Sequence, residues 1–455
     1  MCAKETERTD YTRPWTPPPS RIERLLLLVF LIVFVAFAAV TVNRAAYRKK
    51  TRTDAQVYFR GAWAVWSGRP LMEVVDDNGW HYHYPPSMAV VMRPFANAPP
   101  GQPDLAWTLP YPISILVWFI IGLVALACAL VLFGGALDRH VLNVPLENGT
   151  LHRWWLLRLG ALVAFLCIAG SSLSRGQVGT ILLLSAVGFA VCYADRRPVA
   201  AGAWLSLGIA VKIFPVMLAL VPLLRRDWRC LAAIGVGAVI GLFLIPALMV
   251  GTADTIDVYS QWVTERMSGI ASGSLRSELA ELNPMQSDMV GFGPVIARLA
   301  NLVSGPKLTS LDNWTIHAHW ICSIILLGLV VWSGHGRVWR WRGPQPTDSP
   351  SLLSFSALVM AACVPIITVA QVHYWTLGIP LYMALSAQQW RSQGKTGIGV
   401  WPAVLGVLLW IGFLITDLRG RNALSNVGWL TFAMTGLIVY GMLQVRRPLP
   451  IPVGP

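Results

Sequence analysis

Charge is scarce in this chain. Only 13% of its 455 residues are Asp, Glu, Lys or Arg, while 55% are hydrophobic; a typical soluble domain carries about 25% charged residues. That deficit excludes a soluble fold of this length. Acids are scarcer than bases, 22 against 36, for a net charge of +14. In a soluble protein this excess would point to nucleic acid. No RNA- or DNA-binding motif is present, so nucleic acid is set aside, and the excess reads as basic loops retained on the cytoplasmic side of a membrane. The 7 cysteines form no C-x-x-C pair and lie mostly within apolar runs. They read as small buried hydrophobes, neither a disulfide framework nor a metal site. No internal repeat is visible. The first apolar run is too long for a cleavable signal and lacks a small-residue cleavage site.

What is present is a succession of apolar runs, many near the ~20 residues that cross a bilayer. The pattern predicts an all-α polytopic membrane protein with about 11 to 13 membrane-embedded helices. Residues 1–23 are polar and Pro-rich, a cytoplasmic tail; 24–444 form one transmembrane domain; 445–455 are a second cytoplasmic tail. Spans are expected near 24–43, 111–136, 155–173, 177–193, 230–250, 315–333, 351–371, 374–388, 400–416 and 427–444, with a further apolar block at 199–224. Two long polar loops separate them, 44–110 and 251–313.

Lys and Arg in short loops set the orientation. Arg21, Arg24, Arg139, Arg153, Arg196 and Arg197 are consistent with a cytoplasmic N-terminus. If 199–224 crossed once, Arg225, Arg226, Arg229 and every later basic loop would lie outside. A re-entrant hairpin broken at "VKIFPV", with Lys212 and Pro215 at its turn, restores the rule; the alternative is a Pro-kinked single span with Lys212 snorkelling. With the hairpin, both long loops face outward. The N-glycosylation sequons avoid them, since "NGT" at Asn148 is inside and "NWT" at Asn313 abuts a span. That favours a bacterial inner membrane, with the chemistry on its outer side.

Within the first outer loop, "TDAQVYFRGAWAVWSGRP" (53–70) reads as a helix that Asp54 caps and Gly68 and Pro70 end. Asp54 can cap the helix and also serve as a general base, since a capping carboxylate is held rigidly. "GWHYHYPPS" (79–87) packs aromatics against a short helix near 87–95, as an interface anchor or a sugar-binding surface. Its two histidines lack further ligands, so no metal is expected. "SLSRGQVGT" (172–180) places Arg175 in a short outer turn, for lipid headgroups or a phosphate. Lys212 is an amine in an apolar block, with a phosphate as natural partner. His373 lies in the turn "QVHYWT", and "ELNPMQSDMVG" offers Asn283 and Gln286. Arg48, Lys49, Lys50 and Arg52 form a basic run that faces anionic headgroups or guides a phosphate lipid.

In order, these pieces are D-x-x-V-Y at Asp54–Tyr58, G-x-P at Gly68, Y-P-P at Tyr84, S-x-G-Q at Ser174, A-G-x-x-L-x-L-G-I-A-x-K-x-x-P at Ala201, R-R-x-W at Arg225, N-x-x-Q-S at Asn283 and H-Y at His373. The series resembles glycosyltransferase family 87, the polyprenol-phosphate-mannose-dependent mannosyltransferases of the GT-C superfamily, over roughly 50–390. The resemblance implies a GT-C-like fold and a lipid-linked donor used on the outer side of the membrane. It implies Asp54 as the base, and Lys212, Arg175 and Arg52 on the donor phosphate. His373 takes a catalytic position, and Tyr58, His83, Tyr84, Gln177, Asn283 and Gln286 line the substrates. The family's N-Q-S piece carries two extra residues here, "NPMQS", which departs from its pattern.

The reaction implied is inverting transfer of a hexose, mannose in the family, from polyprenyl phosphate to a lipid or glycan acceptor, with no cofactor or metal. A lipid or solute transporter would also explain many spans and a lysine in a broken helix. Against it stand the missing repeat and the concentration of polar sequence on one face.

Overall fold

The computed structural model describes residues 21–48, 53–142, 151–264, 289–305, 311–346, 348–368, 370–393, 404–411 and 428–447. Among these every regular element is helical, and extended pairing is confined to isolated bridges such as Met289 with Gln371. The first half comprises α1 (Arg21–Tyr47), α2 (Ala55–Trp66), α3 (Pro86–Val91), α4 (Tyr111–Leu137), α5 (Leu151–Ala164), α6 (Leu166–Ser174), α7 (Gly179–Ala194) and α8 (Pro198–Val211). Both tails fall almost wholly outside the described residues, as do much of 251–313 and most of the stretch around 400–427.

Among the described residues five helices are long and apolar enough to cross a membrane: 28–47, 111–142, 228–250, 313–334 and 349–366. A sixth candidate is the pair α5 and α6, bent by 68°. The span expected at 155–173 is thus carried by two helices with a bend between them. The break falls at Phe165, a fully buried ring packed edge-on against Tyr382 at 5.9 Å and beside Gly378. Anchored there as a wedge, it turns the chain out of the first helix's line.

The basic loops converge on one end of the bundle. Arg139 and His140 meet Asp195 at 3.3 and 2.7 Å. Arg225 donates to the carbonyls of Val338 and Pro346, Arg226 to that of Trp341, and Arg391 to that of Val141. Arg446 lies over the Trp332 ring. Arg158, buried at this end, pairs with Asp138 at 2.8 Å.

The block at 199–224 leaves this end and returns to it. Pro198 and Arg225 line one cleft together with Tyr193 and Ser349. Between them α8 runs 14 residues to Lys212, whose extended backbone (φ −159°, ψ 131°) stops the helix. A 3-10 turn, Phe214–Ala219, with Pro215 near its start, then leads into the returning helix Leu220–Leu224. An arm of 14 residues rises about 21 Å, short of a ~30 Å hydrocarbon core. The hairpin geometry is thus present, with Lys212 at its tip.

At the opposite end the segment expected as a polar loop, 44–110, is a folded cap with its own core. Every residue from Ala55 to Ala64 is buried, together with Tyr82, Tyr84, Met88 and Trp118. Aromatics drive this: Tyr58, Phe59 and Trp63 bury large apolar areas that no solvated loop would tolerate. Arg60 ties the cap together through Asp77 at 2.8 Å, and Gln56 donates to the same carboxylate at 2.7 Å. Tyr259 and Trp262, from the helix Thr252–Trp262, complete the cap core, so the second loop is partly helical too.

Close helix approach needs Gly202. A Cβ there would stand 2.5 Å from Ala233 Cβ and 2.9 Å from both Cys230 O and Ile234 N, mostly fixed backbone. Gly202→Leu should therefore force α8 off the helix Trp228–Val239 and destabilise the fold by about 1–3 kcal/mol. The check is the thermal unfolding midpoint of the purified variant in detergent. An unchanged midpoint would mean the two helices do not pack this way.

Candidate active site

The tip of the hairpin, the α6–α7 turn and the start of α2 meet under the cap. Asp54 is the residue before α2, in a helical backbone conformation (φ −74°, ψ −15°), and its side chain makes no capping hydrogen bond. The capping role considered from sequence is not realised. Its backbone N–H donates to Arg175 O at 2.7 Å, and the Thr53 hydroxyl donates to the same oxygen at 3.0 Å. Arg44 donates to Ser174 O at 2.8 Å, and Trp118 Nε1 to Gly176 O at 2.7 Å. Gly176 has φ +64°, and a Cβ on it would stand 2.8 Å from Ala55 Cβ. Only Gly meets both demands.

Inside this clamp three uncharged polar groups form a triangle. The Tyr58 hydroxyl donates to that of Tyr84 at 3.0 Å, and Tyr84 donates to Gln177 Oε1 at 3.2 Å. Burial first, then the Asp54 charge, holds the Tyr58 hydroxyl well above its ordinary range. For Tyr84 burial is again first, followed by Tyr58 and Asp54. Both hydroxyls therefore keep their protons at neutral and moderately alkaline pH and act as donors.

Lys212 reaches this triangle from below. Its ammonium sits 4.4 Å from the Tyr84 ring centroid and 4.4 Å from that of Tyr374, and donates to the Tyr374 hydroxyl. Cation–π contact stabilises the charge without neutralising it. Among the described residues no carboxylate lies within ion-pair distance of Lys212. Asp54 is close enough for its charge to act on Lys212, as on Tyr58 and Tyr84. Arg175 and Lys212 both act on His373.

His373 itself stands behind this surface. It is 1% exposed, its ring packs edge-on against Tyr374 at 4.5 Å, and its Nε2 is buried without a hydrogen-bond partner. Burial, then the charges of Arg175 and Lys212, holds the imidazole neutral, well below its ordinary range. It backs Tyr374 and does not present a cation.

Of the residues expected from sequence, the fold brings together Asp54, Tyr58, Tyr84, Arg175, Gln177, Lys212 and, one layer back, His373. His83 is half-buried beside Tyr84. Arg52, Asn283 and Gln286 lie outside the described residues. Sequence reasoning missed Tyr374, although it adjoins His373 in the quoted turn. It also missed Arg44 and Trp118, which carry no local signal because each sits in an ordinary apolar helix. Among the described residues no three His, Cys, Asp or Glu side chains converge as a metal site.

Substituting Gly176 with Ala should strain the turn by about 1–2 kcal/mol through its positive φ. It should also displace Asp54 relative to Lys212, and a misplacement near 1 Å lowers turnover on the order of 100-fold. Steady-state kinetics of Gly176→Ala check this; wild-type turnover would show that the turn does not set the site.

Residues 82–367 match the model of glycosyltransferase family 87. Tyr84, Arg175, Gln177 and Lys212 fall inside the match; Asp54 and Tyr58 precede it, and His373 and Tyr374 follow it, joined to the site by the fold. Two relatives are similar along nearly the whole chain. Both are named polyprenol-phosphate-mannose-dependent alpha-(1-2)-phosphatidylinositol mannoside mannosyltransferase. The one from Mycolicibacterium smegmatis is 24% identical over 417 residues, covering 87% of this chain and 85% of the relative. The one from Mycobacterium tuberculosis is 25% identical over 467 residues, covering 96% of each. Among solved structures, ArnT from Cupriavidus metallidurans bound to undecaprenyl phosphate aligns at TM-score 0.38 and 12% identity, covering 92% of this chain and 77% of that one. The family match spans more than half of the residues, with an apolar helical bundle carrying the matched segment: the chain belongs to glycosyltransferase family 87.

Proposed function

We propose that this membrane glycosyltransferase moves mannose from a polyprenyl-phosphate carrier to a lipid or glycan acceptor at the outer face of the membrane, with inversion at the anomeric carbon. The donor is taken from the names of the two relatives, which specify polyprenol-phosphate-mannose. The observation that carries the reading is the meeting of an acid, Asp54, and the Lys212 amine, which has no carboxylate within ion-pair distance among the described residues, under one aromatic cap.

Asp54 takes the proton of the attacking hydroxyl as its oxygen bonds to the anomeric carbon. The bond from that carbon to the phosphate oxygen breaks, and the carrier phosphate leaves with the electron pair. Lys212 and Arg175 face the charge that develops on it. A β-linked donor then yields an α-mannoside. Two cations answer the leaving group, so the mechanism is written without a metal ion or other cofactor. Gln177, Tyr58 and Tyr84 would hydrogen-bond the sugar, with His83, Asn283 and Gln286 as further substrate-binding residues and Arg52 guiding the carrier phosphate. His373 would hold Tyr374, and through it Lys212.

The outer-face assignment follows from charge. The arginine loops gather at the end away from the site, and basic loops remain cytoplasmic. In a bacterial cell this puts the site outside the inner membrane. The topology proposed with it has about 11 to 13 membrane-embedded helices, with 44–110 and 251–313 outside; in its support, five helices and one bent pair among the described residues are long and apolar enough to cross, and shorter apolar helices accompany them.

Purified protein, incubated with radiolabelled polyprenyl-phosphate-mannose and a total lipid extract of the source cell, should make a new labelled product. Asp54→Asn should lower transfer by about 10²–10⁴-fold while the donor still binds. Lys212→Met should weaken donor binding as well as turnover. Normal transfer by Asp54→Asn would remove the base assignment, and failure of the wild type to bind the donor would remove the carrier.

A further inference from the structure

Two pairs of helix ends in this chain share one turn. The residue after the C-cap adopts a left-handed backbone, and two N–H groups bond back into the last helical turn. At the site end that residue is glycine, Gly68 (φ 66°) and Gly176 (φ 64°). At the basic end it is arginine, Arg196 (φ 59°) after α7 and Arg226 (φ 57°) after the returning hairpin arm. The bonds correspond. Arg197 N–H donates to Cys192 O at 2.8 Å and Arg196 N–H to Tyr193 O at 3.1 Å; Asp227 N–H donates to Pro222 O at 2.9 Å and Arg226 N–H to Leu223 O at 3.0 Å. Positive φ is uncommon for any residue with a Cβ, and glycine would serve both turns without steric strain. Keeping an arginine at both places, against the backbone's preference, points to a use for the side chains.

The two turns are neighbours. Two adjoining clefts of about 340 and 490 Å³ share Tyr193, Arg225, Asp227 and Arg229; Arg196 lines the first and Arg226 the second. Four arginines and the Asp227 carboxylate thus line the two clefts. That carboxylate, Asp227, caps the following helix by accepting from Cys230 N–H at 3.1 Å. Arg225 is fixed by the carbonyls of Val338 (2.5 Å) and Pro346 (2.9 Å), and Arg226 by that of Trp341 (2.6 Å). Carbonyls orient a guanidinium without cancelling its charge. Tyr193 is 5% exposed and borders both clefts, with the Arg225 guanidinium 5.9 Å from its ring centroid. Trp228 and Leu223, 68% and 52% exposed, flank the arginines with apolar surface for an acyl chain.

We propose that this paired cleft binds the phosphodiester headgroup of an anionic phospholipid, at the end of the molecule opposite the transfer site. Arginine forks match phosphate oxygens in pairs, and the exposed indole beside them suits a membrane interface. Inorganic phosphate shares the headgroup chemistry and is separated from it by the test.

The full chain, delipidated in a neutral detergent, is titrated with phosphatidylglycerol, phosphatidylcholine or inorganic phosphate and read by native mass spectrometry. Phosphatidylglycerol should be retained over phosphatidylcholine, with inorganic phosphate displacing it only weakly. The double variant Arg196→Gly/Arg226→Gly relieves both left-handed turns but removes the Arg226 bond to Trp341 O, so its thermal midpoint is measured alongside to separate loss of fold from loss of the site. Its affinity for phosphatidylglycerol should fall roughly tenfold or more. Equal retention of the two lipids, or unchanged affinity in the double variant, overturns the site. Strong binding of inorganic phosphate that depends on the same two arginines, without preference between the lipids, overturns the lipid as its ligand.

Discussion

Three successive carbonyls, of Ser174, Arg175 and Gly176, tie the bundle to its cap. Each accepts from a different element: Arg44 at the end of α1, Thr53 and Asp54 at the entrance to α2, and Trp118 in α4. A buried polar group left unpaired costs about 1–3 kcal/mol, so moving any of these elements penalises the others. Because Asp54 bonds this turn through its own backbone, its position follows the turn, and not the far end of α2. Gln177 is the next residue, and its amide receives the Tyr84 hydroxyl. One four-residue turn therefore sets the carboxylate, the neutral triangle and the Arg175 backbone together.

The molecule also separates its charges by end. Basic side chains at one end are satisfied by carbonyls and by Asp138 and Asp195. At the other end Lys212 is held between two aromatic faces. Had a carboxylate paired with it directly, the pair would have been neutral and of little use to a phosphate. Two aromatic faces and the Tyr374 hydroxyl hold the amine in place, with the Asp54 charge acting on it from beyond ion-pair distance. The neutral, buried His373 fits this picture. An imidazolium beside Lys212 and Arg175 would repel both, and burial prevents it.

The sequence made much of this legible, for identifiable reasons. Long apolar runs declare spans by length alone, so α1, α4 and the helices near 228–250, 313–334 and 349–366 agree with expectation. The hairpin at 199–224 was legible from charge, because three arginines had to return to the basic end. The bend at Phe165 was not, because an aromatic wedge works through distant partners such as Tyr382 and leaves no mark in local hydropathy. The cap's helices were legible from their end signals, whereas its burial was not, for a related reason. Its core is spread over Tyr58, Tyr82, Met88 and Tyr259, residues too scattered to form a run. Asp54, Lys212 and Arg175 stood out as charges in apolar or oddly charged surroundings. Tyr374 and Trp118 did not, since an aromatic residue in a membrane protein is commonplace until its partners are known.

The short elements explain how the cap and the lysine come together. α4 rises about 40 Å over its 27 residues, whereas α7 and α8, at 16 and 14 residues, rise only about 24 and 21 Å. α6 is shorter still and tilted by the bend before it. All three therefore stop below the level that α4 reaches, leaving a recess on the site end of the bundle. The cap is seated in that recess: Ala55 against Gly176, and the Ser87 hydroxyl donating to Ala210 O at 2.8 Å, two residues before Lys212. A full-length span in place of the hairpin would carry Lys212 through the middle of the bilayer and leave the cap no seat. The break at Lys212 thus serves two ends at once. It leaves the cation at a helix terminus beside solvent-borne groups, and it lowers the floor on which the acid-bearing helix rests.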